Sequence, residues 1–377
     1  MSDTYKYPGV YIEEDATPGL SISSSATAVP VFAHDGSEVV SEKLERIDSW
    51  LDFLGLVITD SNGKVNLEGT LYLSMEAYFQ CGGGRAYLCQ TGLLETLVST
   101  NDEITLLVSA GVPIGDLELA LTELTGPGKT VFAILDSIPE LTGVPAGTTA
   151  KSRVDEEPEP APGDMDAYTE SNNAAVYGPW LNKPGRNAKV PPSAAAAGLF
   201  AKTDRERGVW KAPANVALAG GLTPSQRFSE RVHGDYNANA KPLNLFRTFA
   251  GGSSLLWGAR TLSDNAPHWR YVPVRRLFDT VERDISRAME GMMFEPNNQP
   301  TWEKVKAAAY NYLFDLWKQG ALLGTKPEQA FFINIGKGLS MTQAQINAGE
   351  LVVEIGLNAV RPVEFIILKF TQNIGAP

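Results

Sequence analysis

Apolar positions recur along the chain with two different periods. Val10 and Ile12 alternate with Tyr11 and Glu13 inside Tyr7-Pro-Gly-Val-Tyr-Ile-Glu-Glu14, a period of two that predicts a strand, yet no hairpin partner lies beside it in sequence. Residues 44–56 and 69–81 carry apolar side chains three and four apart and predict helices, the second stopped by Gly82-Gly83-Gly84 and followed by a strand over Arg85–Gln90. Short apolar runs at Ile104–Ser109 and Val131–Leu135 flank a helical segment near 116–124. This alternation predicts an α/β sheet with helices packed on it. In the last third, Phe278, Val281, Ile285 and Met289 share one face of a helix over 275–290. Trp302, Val305, Ala309, Leu313 and Leu316 share one face of another over 301–319, with Thr301 as its N-cap and Gly320 just past its end. Strands are expected at 331–335, 351–355 and 363–370, the last apolar on both faces.

Two stretches break the pattern. Residues 141–165 turn to Pro, Gly, Thr and acids and read as a surface loop or insertion, while 184–240, rich in Pro, Gly, Ala and Asn but holding Phe200, Val209 and Trp210, reads as packed and irregular. No repeat of fixed period is present.

Composition narrows the function more than the fold. With 377 residues, 43% apolar and 20% charged, the chain has room for two or three globular domains. A formal charge of −12 opposes a nucleic-acid or anionic-membrane partner, and the absence of a signal peptide or long apolar run points to folding in the cytosol. Cys81 and Cys89 read as small buried residues in a reducing compartment, since a zinc site usually needs four ligands at closer spacing.

The motifs that could carry chemistry are each incomplete. Gly126-Pro-Gly-Lys-Thr130 lacks the first glycine of a phosphate loop, where Glu123 stands, and runs into a strand instead of the helix N-terminus a phosphate needs. His34, His233 and His268 are scattered without a second ligand at metal spacing, and no nucleophile elbow accompanies them. Glu13-Glu14-Asp15 and Asp155–Glu159 read as solvated acids. An interaction protein without cofactor is thereby favoured over an enzyme. A rival α/β hydrolase or transferase would have to assemble its site from dispersed residues such as His233, Asp235 and Ser263.

Six stretches together resemble one family. Tyr7–Glu14, Val190-Pro-Pro-Ser193 with Gly198–Asn215, Leu256–Ser263, Trp269–Arg276, Phe294-Glu-Pro-Asn297 and Arg361-Pro-Val-Glu-Phe365 resemble, in order, the hallmarks of contractile tail sheath proteins of phages and phage-tail-like injection systems. The resemblance implies an α/β fold of mixed α+β character, helices on mixed sheets, with N- and C-terminal strand arms that add to neighbouring subunits. It divides the chain into an arm and linker (1–22), an N-terminal and central region (23–240, with a loop near 141–170), a C-terminal core (241–360) and a second arm (361–377). The room for only a short insertion favours a compact injection-system sheath.

What the resemblance implies for sites follows from that division. Tyr7, Pro8, Gly9, Val10, Tyr11 and Ile12, and Val363, Phe365, Ile366, Ile367 and Leu368, would be the exchanged strands, with a hinge around Gly19 to Ala28. Arg276, Arg283 and Arg287 on one helix and Lys304, Lys306 and Lys318 on the next would face the inner tube. Partners implied are further copies in stacked hexameric rings, the tube protein, and baseplate and terminator or cap proteins, with no nucleic acid and no membrane insertion. Assembly would be cytoplasmic, into a virion-like or released particle. A baseplate or terminator relative forming a single ring is the nearest alternative within the resemblance.

Overall fold

The computed structural model describes residues 20–39, 43–59, 63–126, 128–141, 163–249, 251–263 and 265–364. Up to residue 256 the chain runs β1 (Pro30–His34), β2 (Glu45–Ile47), α1 (Trp50–Leu54), α2 (Thr70–Gln80), β3 (Ala86–Gln90), α3 (Leu94–Val98), β4 (Leu106–Val108), α4 (Glu118–Thr125), β5 (Phe132–Asp136), β6 (Ala174–Gly178), β7 (Leu181–Asn182), α5 (Pro192–Arg207), β8 (Val216–Ala217), β9 (Thr223–Pro224), α6 (Glu230–Ala238), β10 (Leu243–Thr248) and β11 (Ser254–Leu256). It continues with α7 (Val272–Glu290), α8 (Gln299–Lys318), α9 (Pro327–Ala330), β12 (Phe331–Asn334), α10 (Gln343–Asn347) and β13 (Glu354–Leu357).

One sheet organises the first part, in the order β2-β3-β1-β4-β5-β6-β10-β11-β8. From β3 to β10 neighbouring strands are parallel, and antiparallel strands close both ends. Parallel strands covered on both faces need apolar side chains on both, which is what β1 and β4 supply. Phe32, Leu88, Phe132 and Tyr177 point toward α1, α2 and α5, whereas Val31, Cys89, Ala133 and Val176 point toward α3, α4 and α6. Cys81 and Cys89 are both buried and unbridged.

The second layer is helical. α7 and α8 enclose Val274, Leu277, Val281, Tyr312, Leu313 and Leu316 together with Phe331 of the small antiparallel pair β12–β13. Trp302, Val305, Ile335 and Met341 form an adjoining cluster. Phe332 lies over Gly356 so closely that a Cβ there would meet its ring at 2.0 Å, so any larger residue at 356 would have to displace the ring.

Several expectations need correction. Residues 44–56 do not form one helix: Glu45–Ile47 pairs with β3 at the sheet end, and Ser49 then caps a new start by accepting from Asp52 N. The stretch 184–240 is not irregular throughout, because it contains the sixteen-residue α5. That helix is buried nearly all round and alanine-rich, so it leaves no apolar stripe to read. Gly198 lets it lie against α2, where a Cβ would come within 2.5 Å of Tyr78 O. Strands β1, β6, β10 and β11 escaped the pattern. Since β10 and β11 complete the large sheet, the change of layer falls beyond Leu256 and not at 241. Asn298, not Thr301, caps α8 by accepting from Thr301 N at 3.3 Å, and the strand expected at 351–355 is Glu354–Leu357.

Candidate arm-anchoring site

The described chain begins by crossing the helical layer. Leu20 packs with the Trp302 cluster and Ile22 with the Val281–Leu313 cluster, so the segment lies against α7 and α8 before it reaches β1. Polar bonds then fix it residue by residue. Ser25 N donates to Asp284 at 3.2 Å, its hydroxyl donates to the same carboxylate, and Tyr312 OH donates to Asp284 Oδ2 at 2.7 Å. Arg283 reaches Ser25 Oγ at 3.3 Å and Ala26 O at 3.4 Å. Burial, with Asp284 beside it, pushes the Tyr312 hydroxyl up from its ordinary value.

Next to this lies a charge pair between the layers. Arg276 of α7 forks onto Asp204 of α5, Nη1–Oδ1 3.1 Å and Nη2–Oδ2 2.6 Å, with side-chain exposures of 3% and 4%. The same guanidinium donates to Thr27 O at 2.9 Å and lies 4.8 Å from the centre of the Phe200 ring, while Thr27 Oγ1 donates to Asp204 at 2.6 Å. Thr27 therefore sits inside the seam. Sheet domain, helical layer and incoming chain share one buried polar knot.

The outgoing chain has its own root. Glu364 accepts from Arg260 at both oxygens, 2.8 Å from Nε and 2.9 Å from Nη2, and from Tyr271 OH at 2.9 Å. Arg260 Nη1 donates to Asn237 O at 2.7 Å, and Asn244 holds the Arg260 backbone through bonds at both its N–H and its C=O. Tyr271 is the residue that precedes α7 as its N-cap. The two roots thus lie thirteen positions apart on α7, at Tyr271 and Asp284, roughly 20 Å along a helix.

These positions revise the predicted site. Arg276 and Arg283 are 3% and 8% exposed and turned onto Asp204 and the incoming chain, so they do not present charge outward. Burying a guanidinium requires such partners, and the acids that supply them, Asp204 and Asp284, were not singled out. Arg287 is exposed and donates to Asp102 O at 3.2 Å, while Lys304, Lys306 and Lys318 are exposed on α8. Within the hinge expected around Gly19 to Ala28, Leu20, Ile22, Ser25, Thr27 and Ala28 are packed on or bonded to the body, whereas Ser21, Ser23 and Ser24 are exposed. Tyr7, Pro8, Gly9, Val10, Tyr11 and Ile12, and Phe365, Ile366, Ile367 and Leu368, lie outside the described residues. Val363 is 80% exposed.

The rival catalytic grouping does not form. Ser263 donates to Glu170 at 2.8 Å, whereas His233 contacts Arg247 and Asn237, and burial with Arg247 nearby pushes the imidazole down to about 4. The crevice at the carboxyl ends of β4 and β5, where an α/β sheet would ordinarily take a ligand, is filled from within. Asp136 there accepts from Ser193 N, Ser193 Oγ, Ser109 Oγ and Gly111 N at 2.7 to 2.9 Å. Its carboxylate occupies the anion position at the start of α5. Among the described residues no group of three or more His, Cys, Asp or Glu could hold a metal, and no helix is long and apolar enough to cross a membrane.

Comparison with known proteins decides the family. A phage tail sheath central-domain model matches residues 128–262 and a phage tail sheath C-terminal-domain model matches 264–373. The sheath subunit of an extracellular contractile injection system, PVC, in its contracted state is 48% identical, with 99% of each chain covered and a TM-score of 0.84. This chain belongs to the contractile tail sheath family. The contracted helical sheath of the anti-feeding prophage is 40% identical over 98% of this chain and 100% of that one, at a TM-score of 0.77. A prophage tail sheath homologue of Pseudomonas aeruginosa is 31% identical over 147 residues, spanning only 38% of its own length. The sheath subunit here shares its mixed α/β architecture with these neighbours, and the family models meet at 262 and 264, beyond β11. Asp204, Arg260, Tyr271 with Arg276, and Glu364 each fall in a different one of the six resembling stretches. That coincidence was the signal available for the arm roots.

Proposed function

We propose that this sheath subunit polymerises into stacked six-membered rings around a separate inner tube, and that the lattice shortens and widens to drive that tube through a target envelope. The observation that carries the reading is that both chain ends enter and leave the body through bonded roots on one helix. Beside them stands a two-stranded sheet, β12–β13. Two strands are marginal alone, and among the described residues β12 pairs only with β13, which leaves main-chain donors and acceptors for added strands. Tyr7–Ile12 and Phe365–Leu368 of neighbouring copies are the strands we assign to those edges, with Val363 left on its own subunit just ahead of the second. Phe332, half-exposed on β12, supplies an apolar contact for them.

Subunits joined in this way can slide and rotate without separating, and the free energy of contraction is stored in the packing of the extended lattice. Arg287, Lys304, Lys306 and Lys318 remain the cationic side chains through which the helical layer meets the tube. Similar chains occur in the anti-feeding prophage baseplate, which supports a baseplate junction at one end of the sheath; a cap closes the other in this reading. The subunit acts as a mechanical part and not as a catalyst, and assembly takes place in the cytoplasm. Negative-stain electron microscopy of the purified protein, alone and co-expressed with its tube protein, should show hollow cylinders or stacked rings. A chain lacking residues 1–14 should fold but stay unassembled, and equal assembly of the shortened chain would refute strand exchange.

A further inference from the structure

We infer that Arg260 and Tyr271 form a carboxylate socket that keeps the root of the C-terminal arm on its own subunit, and that Glu364 is the positioning residue that sets where the exchanged strand begins. The inference rests on the arm-exchange reading above. The socket has supports besides Glu364: Asn244 fixes the backbone of Arg260 at both its N–H and its C=O, and Asn237 O accepts from Arg260 Nη1. Arg260 Nε and Nη2 present a fork of two parallel donors matched to the Glu364 carboxylate, with the Tyr271 hydroxyl closing the third side. Arg260 is 7% exposed, and Arg260 and Arg247 both lie near enough to the neutral His233 ring to hold its pKa down, so two guanidinium charges gather here and favour an anion.

The preceding residue shows where the bonding ends. Val363 is 80% exposed, and Val360 N donates to Ala321 O at 3.2 Å, so the chain is tied at 360 and again at 364, with Arg361 and Val363 exposed between the two ties. Phe365, the first residue of the exchanged apolar run, follows the socket immediately. A strand has a period of two, so a root displaced by one residue would present the wrong side chains to the neighbour's sheet. The socket thereby fixes register, and a pull on the arm is delivered to Tyr271 at the start of α7.

The test uses full-length protein carrying Glu364→Gln, Tyr271→Phe or both, with Glu364→Asp as the conservative variant. Hydrogen exchange of the 357–364 backbone in the soluble subunit should speed at least tenfold for Glu364→Gln. The concentration needed for sheath assembly should rise about tenfold for Glu364→Gln and about threefold for Tyr271→Phe. The double variant should be little worse than Glu364→Gln alone, because Gln keeps one acceptor oxygen for the three donors and the Tyr271 hydroxyl already competes with Arg260 for it, and Glu364→Asp should recover part of the loss. Circular dichroism at the assay temperature establishes that each body is folded. Unchanged exchange in Glu364→Gln overturns the socket. Faster exchange with wild-type assembly overturns the positioning role. Wild-type protein that never assembles with its tube protein refutes the sheath reading itself, while the exchange experiment still decides the socket.

Discussion

Replacing Asp204 by Asn removes one charge from the knot between the layers and leaves its shape. Arg276, 3% exposed, then holds a buried positive charge with only Thr27 O and a neutral amide as polar partners. Breaking a buried pair from one side costs about 3–5 kcal/mol, because the remaining ion keeps its desolvation penalty and loses its counter-charge. The charge-assisted bond from Thr27 Oγ1 weakens as well, so about 4 kcal/mol is expected for Asp204→Asn. With an unfolding entropy of about 2.1 cal/mol/K per residue, that lowers Tm by about 5 °C in a chain of this length. Arg276→Met keeps an unbranched apolar stem over Phe200 and should cost a comparable amount. The double variant carries no buried charge, and its cost should fall below the sum of the singles by about 3 kcal/mol. Chemical denaturation of the four proteins gives this coupling directly, with proteolysis of the N-terminal segment reporting whether Thr27 has come free. Single costs under 1 kcal/mol, or a coupling near zero, would show that the seam is held by apolar packing and that the pair is incidental.

Four further outcomes follow from the same structure. Burial holds the Asp279 carboxyl up at about 6 despite Arg275 Nε at 2.8 Å; the folded chain binds this proton more tightly than the unfolded one, so the group lowers stability as pH rises from about 4 to 6 and contributes no further change above that. Asp279→Asn should therefore gain on wild type by about 2–3 kcal/mol between pH 4 and pH 7, and a pH-independent difference in unfolding free energy would contradict the assignment. Gly198→Ala sets a helix-propensity gain of about 1 kcal/mol against a Cβ 2.5 Å from Tyr78 O; α5 must move off α2, and a net loss of about 1–3 kcal/mol is expected in thermal unfolding. Cys89, whose thiol burial raises to about 11, and Cys81, raised likewise, should both resist a thiol reagent at pH 8 in the native protein and react fully in denaturant; fast native labelling of either would refute their burial. Asp284→Asn costs Tyr312 its acceptor and Ser25 its charged partner, and should accelerate hydrogen exchange at Ser25–Ala28 more than in β1, a contrast that uniform exchange would remove.

The limits of sequence reading here follow from what each element contacts. α7 and α8 each have one buried face and one open face, and their apolar stripes were legible to within a few residues; the predicted face of α8 is buried at all five positions. α5 is enclosed on all sides by the sheet, α2 and α7, so periodicity carried no signal and its alanines read as irregular chain. β1 and β6 are five residues each and buried throughout, with no polar–apolar alternation, and are too short to separate from a loop by pattern alone. The arm roots failed to show for a different reason. A charged residue is read as solvated unless its partner is known, and here the partners lie 72 residues apart for Arg276 and Asp204, 104 for Arg260 and Glu364, and 259 for Ser25 and Asp284. Arg276 and Arg283 were accordingly placed on a tube-facing surface when they hold the incoming chain. The resembling stretches contained four of the partners but not their pairing. Only the fold brings Ser25 to Asp284, Thr27 to Arg276 and Asp204, and Glu364 to Arg260 and Tyr271, so that contacts of the incoming and of the outgoing chain are both made along α7.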